Sequence, residues 1–346
     1  MSSTYEIEPK NRDSGDYSDT EGILRFRRIR VERQEILLGD SDPMICLYGQ
    51  DIIVAGKGGG LVKSHDGGIS WGTTRTIPGM QPDDKLCALG VDANDRLMVA
   101  TWSEEALSIQ FSDDGAVTFG SPVTVHAPAG PGAAPGRFIT CERQLLLFLN
   151  TAVFASKDHG ANWSKLTDLP AGWSHLRPTV LSDGTMVGTA LVDEEERGIR
   201  HTFFVNSPDG GKTWQDRCCV TRKGEIPGDL LELDNGHLAL TYGQESNPYG
   251  ARAIVSSDGG KTWDNLVYVL TVGRWNGTTR EPRTKKTKAA SGVASMLSTD
   301  GVILSAFDRG PTENPTDGIC NQAASGVVRW TTEGLEKPPL FYPSLW

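Results

Sequence analysis

The sequence predicts an all-β chain folded as a β-propeller of six four-stranded blades, and three observations predict it. The chain holds 40 Gly and 19 Pro in 346 residues, a frequency of backbone punctuation that suits turns and opposes long helices. One eight-residue pattern, S-x-D-x-G-x-x-W, recurs at Ser64–Trp71, Ser156–Trp163, Ser207–Trp214 and Ser256–Trp263, with a worn copy at Ser112–Phe119. The spacings between their first serines are 48, 44, 51 and 49 residues, the period of a blade of four strands. Each copy also follows two short apolar strands joined by a turn, as in Leu230–Tyr242, and a third leading into the pattern, as in Ala253–Ser256.

The elements follow in order. Ile23–Val31 alternates apolar and basic residues and reads as a strand, expected to complete the last blade and close the ring. Repeating units occupy 44–71, 86–119, 137–163, 177–214 and 228–263. A sixth begins at Gly292, lacks the pattern and ends in Gly326–Trp330. Seven blades is the alternative count. Residues 1–21 are polar and acidic and read as a flexible N-terminal segment, leaving 22–346 as a single propeller domain.

At 38% apolar and 23% charged, the balance is that of a globular protein. There is no run of 18 apolar residues, so no helical membrane span is expected. The polar start lacks the basic-then-apolar profile of an export signal, which gives a cytoplasmic expectation, or a secreted one if a signal has been removed. A net charge of −10 argues against a nucleic-acid partner. The six cysteines (Cys46, Cys87, Cys141, Cys218, Cys219, Cys320) show no metal-ligand spacing and read as small buried apolar residues. Gly56–Gly60 lacks the following helix of a phosphate loop and no G-x-S-x-G elbow occurs. No metal or other cofactor is expected.

The repeated octapeptide is the Asp-box, or bacterial neuraminidase repeat, and over residues 23–335 the chain resembles the sialidase superfamily of β-propellers. In such a hairpin the Asp accepts backbone N–H bonds, Gly takes φ > 0 and the Trp packs between blades. The resemblance implies a box between the third and fourth strands, on the face away from the active site. It also implies three arginines gripping a substrate carboxylate, a Tyr nucleophile assisted by a Glu, and an Asp acid/base. Position by position, those places hold Ser41 and Gly243 for arginines, Pro227 for the Glu, Lys57 for the Asp and Gly292 for the Tyr. The likeness therefore extends to the fold and not to the full catalytic set.

Candidate residues are those at the starts of innermost strands and the ends of second strands, which a propeller gathers at its channel mouth. Inner-strand starts supply Asp42, Lys85, Arg137, His175, Arg177 and Asp229; second-strand ends supply Lys57, Trp102, Asn150, Tyr242, Glu245, Asp308 and Arg309. His175 and Arg177, two apart, fall on one side of a regular strand and suit an acid or base beside a carboxylate clamp, or equally a bonded pair at a loop edge. Tyr242 with Glu245 suits a nucleophile pair or a structural role. Trp102 offers a stacking face or interblade packing. Asp308 with Arg309 reads as catalytic acid and substrate cation, or as a local ion pair. Arg274–Lys288, including Arg283, carries six basic residues and one acid, and such a loop favours an anionic ligand.

These readings point to a carbohydrate-active enzyme cleaving a glycosidic bond at an acidic sugar. For hydrolysis the paired carboxylates would come from Asp229, Glu245 and Asp308. The alternatives are a uronate lyase, with a His175 or Tyr242 base beside Arg177 or Arg137, and a non-catalytic propeller binding a glycan or a protein.

Overall fold

The computed structural model describes residues 4–6, 25–28, 32–36, 42–81, 84–103, 106–125, 136–141, 144–149, 151–194, 199–221, 225–244, 250–264, 266–270, 293–308 and 325–333. Three strands come first: β1 (Thr4–Glu6), β2 (Arg25–Arg28) and β3 (Glu32–Ile36). Blade one is β4 (Met44–Tyr48), β5 (Asp51–Ala55), β6 (Gly60–Ser64) and β7 (Arg75–Thr76). Blade two is β8 (Lys85–Val91), β9 (Leu97–Trp102), β10 (Leu107–Ser112) and β11 (Val123–Val125). Blade three is β12 (Arg137–Cys141), β13 (Gln144–Phe148), β14 (Ala152–Ser156) and β15 (Ser164–Asp168). Blade four is β16 (Trp173–Val180), β17 (Met186–Glu194), β18 (Ile199–Ser207) and β19 (Gln215–Cys219). Blade five is β20 (Glu225–Glu232), β21 (Leu238–Gln244), β22 (Gly250–Ser256) and β23 (Leu266–Val269). Blade six takes β24 (Val293–Leu297), β25 (Ile303–Asp308) and β26 (Ser325–Trp330) from the far end of the chain and β3 from its beginning.

Within each blade neighbouring strands are antiparallel, and the first strands touch in the cycle β4, β8, β12, β16, β20, β24 and back to β4. Six apolar clusters fill the six seams, so the core is distributed around the ring. The last joins blade six to blade one through Ala294, Leu304 and Val327 against Ile45, Val54 and Val62. This is the six-bladed, all-β propeller that the repeat spacing predicts.

Five of the blades carry the box, and its geometry is local. The serine hydroxyl at the end of the third strand bonds the Asp carboxylate two residues on and accepts the N–H four residues on, as Ser64 does with Asp66 and Gly68, both at 2.8 Å. The Asp then accepts the backbone N–H and side chain of the residue four beyond itself, as Asp258 does from Thr262 at 2.9 and 2.6 Å. The residue bonding the serine takes φ of 81° at Gly68 and 86° at Gly260. The worn copy forces Ala116 into the same region at 68°. Box aromatics of blades four and five pack onto the preceding blade, Trp214 on Phe148 and Trp263 on Phe204 with ring centroids 5.8 Å apart, whereas Trp163 meets Phe138 of its own blade at 6.1 Å.

The Thr262 hydroxyl and then its N–H hold the Asp258 carboxyl at about 2. Asp66, Asp114 and Asp158 are held at about 2 by the equivalent groups of Ser70, Thr118 and Asn162. A folded carboxyl below its unfolded value of about 3.9 stabilises the fold above that pH, and the contribution is lost as pH falls toward about 2. Asp258→Asn is accordingly expected to flatten the fall in melting temperature between about pH 4 and pH 2 relative to the parent. Identical slopes in thermal scans would remove this carboxylate from acid unfolding.

The ring closes differently from the expectation. Within the alternating run, β2 does not complete the last blade; it pairs in parallel with β23 at the outer edge of blade five, and β1 pairs with β2 beyond it. The strand that completes blade six is β3, antiparallel to β26. An outermost strand needs little apolar patterning, so the polar β3 carries a weaker periodic signal than β2. The closure also explains the missing sixth box. The third and fourth strands of blade six come from opposite ends of the chain, so no hairpin joins them. Trp330 pairs with Ile303 where, in blade five, the box Ser256 pairs with Leu238.

Candidate functional site at the channel mouth

The boxes share one face with the turns that link first to second strands, which leaves the starts of the inner strands at the opposite mouth. Three inner strands are bulged there, between Leu86 and Ala88, Ser174 and Arg177, and Pro227 and Leu230. A bulge inserts one residue and re-aims the side chains beside it. In β20 it sets Gly228 and Asp229 together against Thr241. A Cβ on Gly228 would lie 2.4 Å from the Thr241 carbonyl oxygen, so the close approach requires glycine.

The β20 bulge carries Asp229, 2% exposed, into a cluster drawn from four blades. Its Oδ1 lies 2.5 Å from Arg137 Nη1 of blade three and 3.3 Å from Arg177 Nη1 of blade four. Its Oδ2 accepts the Ser295 N–H of blade six at 2.7 Å. Its own N–H donates to Thr241 Oγ1 at 3.2 Å. Burial alone pushes this carboxyl up, but the charges of Arg137 and Arg177, with the Ser295 N–H, more than reverse it and hold it below the usual range. Asp229 is thus a fixed anion that orients two guanidiniums. Two cations on one anion leave an excess positive charge, and Arg177 Nε is buried with no hydrogen-bond acceptor among the described residues.

Other predicted residues fall nearby or elsewhere. Lys57, in the turn after β5, pairs with Asp42 at 3.7 Å, and its carbonyl accepts the Leu86 N–H at 2.7 Å. Lys85 begins β8 and is half-buried. His175 lies inside the β16 bulge at φ 53°, with Nδ1 3.1 Å from Ser174 Oγ. The extra residue breaks the alternation that would place it on the same side as Arg177. Trp102 is half-buried and packs on the apolar cluster between blades two and three. Tyr242 is 3% exposed in the seam between blades four and five. Asp308 ends β25, paired with Ser325. Glu245, Arg309, Arg283 and Asn150 lie outside the described residues, as does the whole basic stretch Arg274–Lys288. Among the described residues no cluster of three or more His, Cys, Asp or Glu is placed to hold a metal ion, and no helix is long and apolar enough to cross a membrane. Of the described thiols, Cys87 is fully buried, and burial pushes it up to about 12.

Sequence reasoning missed Ser295 and Thr241, which hold Asp229 by its carboxylate and its backbone. The available signal was a hydroxyl residue interrupting an otherwise apolar strand, in Val293–Leu297 and Leu238–Tyr242.

Residues 142–308 match the BNR repeat-like domain. Among solved structures, the endosialidase of phage phi92 superposes with a TM-score of 0.64 at 8% identity, covering 93% of this chain and 73% of that one. A protein of unknown function from Dyadobacter fermentans gives 0.62 at 13% identity, covering 86% and 98%. The intramolecular trans-sialidase of Ruminococcus gnavus gives 0.54 at 13% identity, covering 88% and 98%. These likenesses are of fold. A search of curated proteins found no match to the chain.

Proposed function

Since the chain is a BNR-type β-propeller with the sialidase-like fold, we propose that it is a carbohydrate-active enzyme that grips the carboxylate of an acidic sugar at the channel mouth and cleaves the adjoining glycosidic bond. The observation that carries this reading is the sharing of one buried carboxylate by Arg137 and Arg177. Asp229 holds both guanidiniums in place before any ligand arrives, so little reorganisation is needed on binding. A ligand carboxylate would meet the uncompensated charge at the guanidinium of Arg137, whose side chain is 23% exposed, in the bidentate recognition that arginine favours.

Asp229 contributes charge and position, and its ion pairs oppose the proton uptake that a general acid needs. In hydrolysis the proton donor and the second carboxylate would therefore come from the other mouth acids proposed, Glu245 and Asp308. Elimination is the second reading, with His175, two residues before Arg177 in the β16 bulge, as the candidate base. There the imidazole removes the proton next to the uronate carboxylate, a carbon–carbon double bond forms, and the glycosidic C–O bond breaks toward the leaving sugar.

Incubation with a panel of sialosides and uronosides separates these outcomes. New reducing ends without ultraviolet absorbance mean hydrolysis, and reducing ends with an absorbing unsaturated product mean elimination. Binding without turnover would make the propeller a glycan-binding module, and no binding of any acidic sugar would overturn the proposal.

A further inference from the structure

Behind Asp229 a file of buried polar groups crosses blade six. Trp330 Nε1 donates to Ser305 Oγ at 2.9 Å, Ser305 Oγ lies 2.8 Å from Ser295 Oγ, and Ser295 Oγ lies 2.9 Å from Thr241 Oγ1. Thr241 Oγ1 in turn sits 3.2 Å from both the carbonyl oxygen and the N–H of Asp229. Thr241, Ser295, Ser305 and Trp330 are all 0% exposed, so no solvent competes for these bonds.

Each hydroxyl has one proton, and an indole N–H only donates. With Trp330 donating at one end, the arrangement that satisfies every member has Ser305 donating to Ser295, Ser295 to Thr241, and Thr241 to the Asp229 carbonyl. The reverse order gives Ser305 two donors, leaves its own proton without an acceptor in the file, and deprives the Asp229 carbonyl of its bond. We infer that the Trp330 indole N–H sets the direction of this hydroxyl chain, making Trp330, Ser305, Ser295 and Thr241 positioning residues that hold the Asp229 bulge and its two arginines in register for an anionic ligand.

The role in binding rests on the acidic-sugar reading; the directed chain itself does not. The position of Trp330 fits such a task. It stands where blade five has its box serine, in a blade with no hairpin to form, and its ring also packs against Tyr268 with centroids 6.3 Å apart.

Trp330→Phe keeps an aromatic ring in the seam and removes the donor together with part of the ring volume, leaving the chain free to reverse. Hydrogen exchange at the Asp229 amide is expected to accelerate about tenfold in this variant. Calorimetric titration with glucuronate and N-acetylneuraminate is expected to show about fivefold weaker binding, with glucose unaffected. Ser305→Ala should weaken binding similarly, and the double variant should be no weaker than Ser305→Ala alone, because the two act through one chain. Unchanged exchange at Asp229 in Trp330→Phe overturns the directed chain. Faster exchange with unchanged affinity for the acidic sugars overturns the positioning role. If the parent binds neither acidic sugar, the acidic-sugar reading and the binding role fail together, while the exchange result still decides the chain.

Discussion

Replacing Asp229 by Asn is expected to destabilise the protein by about 3–5 kcal/mol, the cost typical of breaking a buried ion pair from one side. The side chain keeps its shape and an acceptor oxygen, but Arg137 and Arg177 then face each other without a counter-charge. Arg177 suffers most, because its side chain is only 6% exposed and water cannot take over from the carboxylate. Chemical unfolding in urea at neutral pH measures the effect. Adding Arg177→Met to Asp229→Asn should recover part of the loss, since the second change removes the uncompensated buried cation. A single variant as stable as the parent would mean that the three charges are not held as a unit. The same logic gives a pH dependence. The Asp229 carboxyl is held below its unfolded value of about 3.9, so its contribution is complete above that pH and is lost in acid.

Arg137→Gln is expected to weaken binding of an acidic sugar by about thirtyfold or more, matching the 2 kcal/mol or greater cost of truncating one partner of a close charge pair. Glutamine retains a polar end but removes the charge, taking the Arg137, Arg177 and Asp229 cluster from a net of one positive charge to none. Arg137 is the better probe of the two arginines because its side chain is 23% exposed, so its removal threatens folding less. Parallel titrations with an acidic sugar and its neutral counterpart isolate the charge term. Equal losses for both ligands would identify the change as a distortion of the mouth, and no loss for either would make the arginine cluster purely structural.

The extent to which these features were legible in the sequence follows from the range of the interactions involved. The box is readable because its bonds span two to four residues, from Ser64 to Asp66 and Gly68 or from Asp258 to Thr262. The same residue types must then recur at the same offsets in every copy. Arg137, Arg177 and Asp229 were also legible as mouth residues, because each sits near the start of an inner strand whose apolar run is plain. Their mutual contact was not, since Arg177 and Arg137 are 52 and 92 residues from Asp229. The bulges were equally hidden. They break the two-residue period at the positions where it would have been used to assign sides, which is why His175 does not pair with Arg177 as regular alternation suggests.

The sequence by itself determined the blade repeat, the box hairpins and the blade count, because all of these rest on local hydrogen bonds and on strand periodicity. Only the tertiary structure decided that β2 joins blade five while β3 closes blade six, and that Asp229 is an anchored counter-ion for two arginines. It alone also showed that small hydroxyl residues of blades five and six hold that anchor from behind. Contacts across the ring depend on how the blades curve and where each inner strand bulges, and neither leaves a periodic trace in the chain.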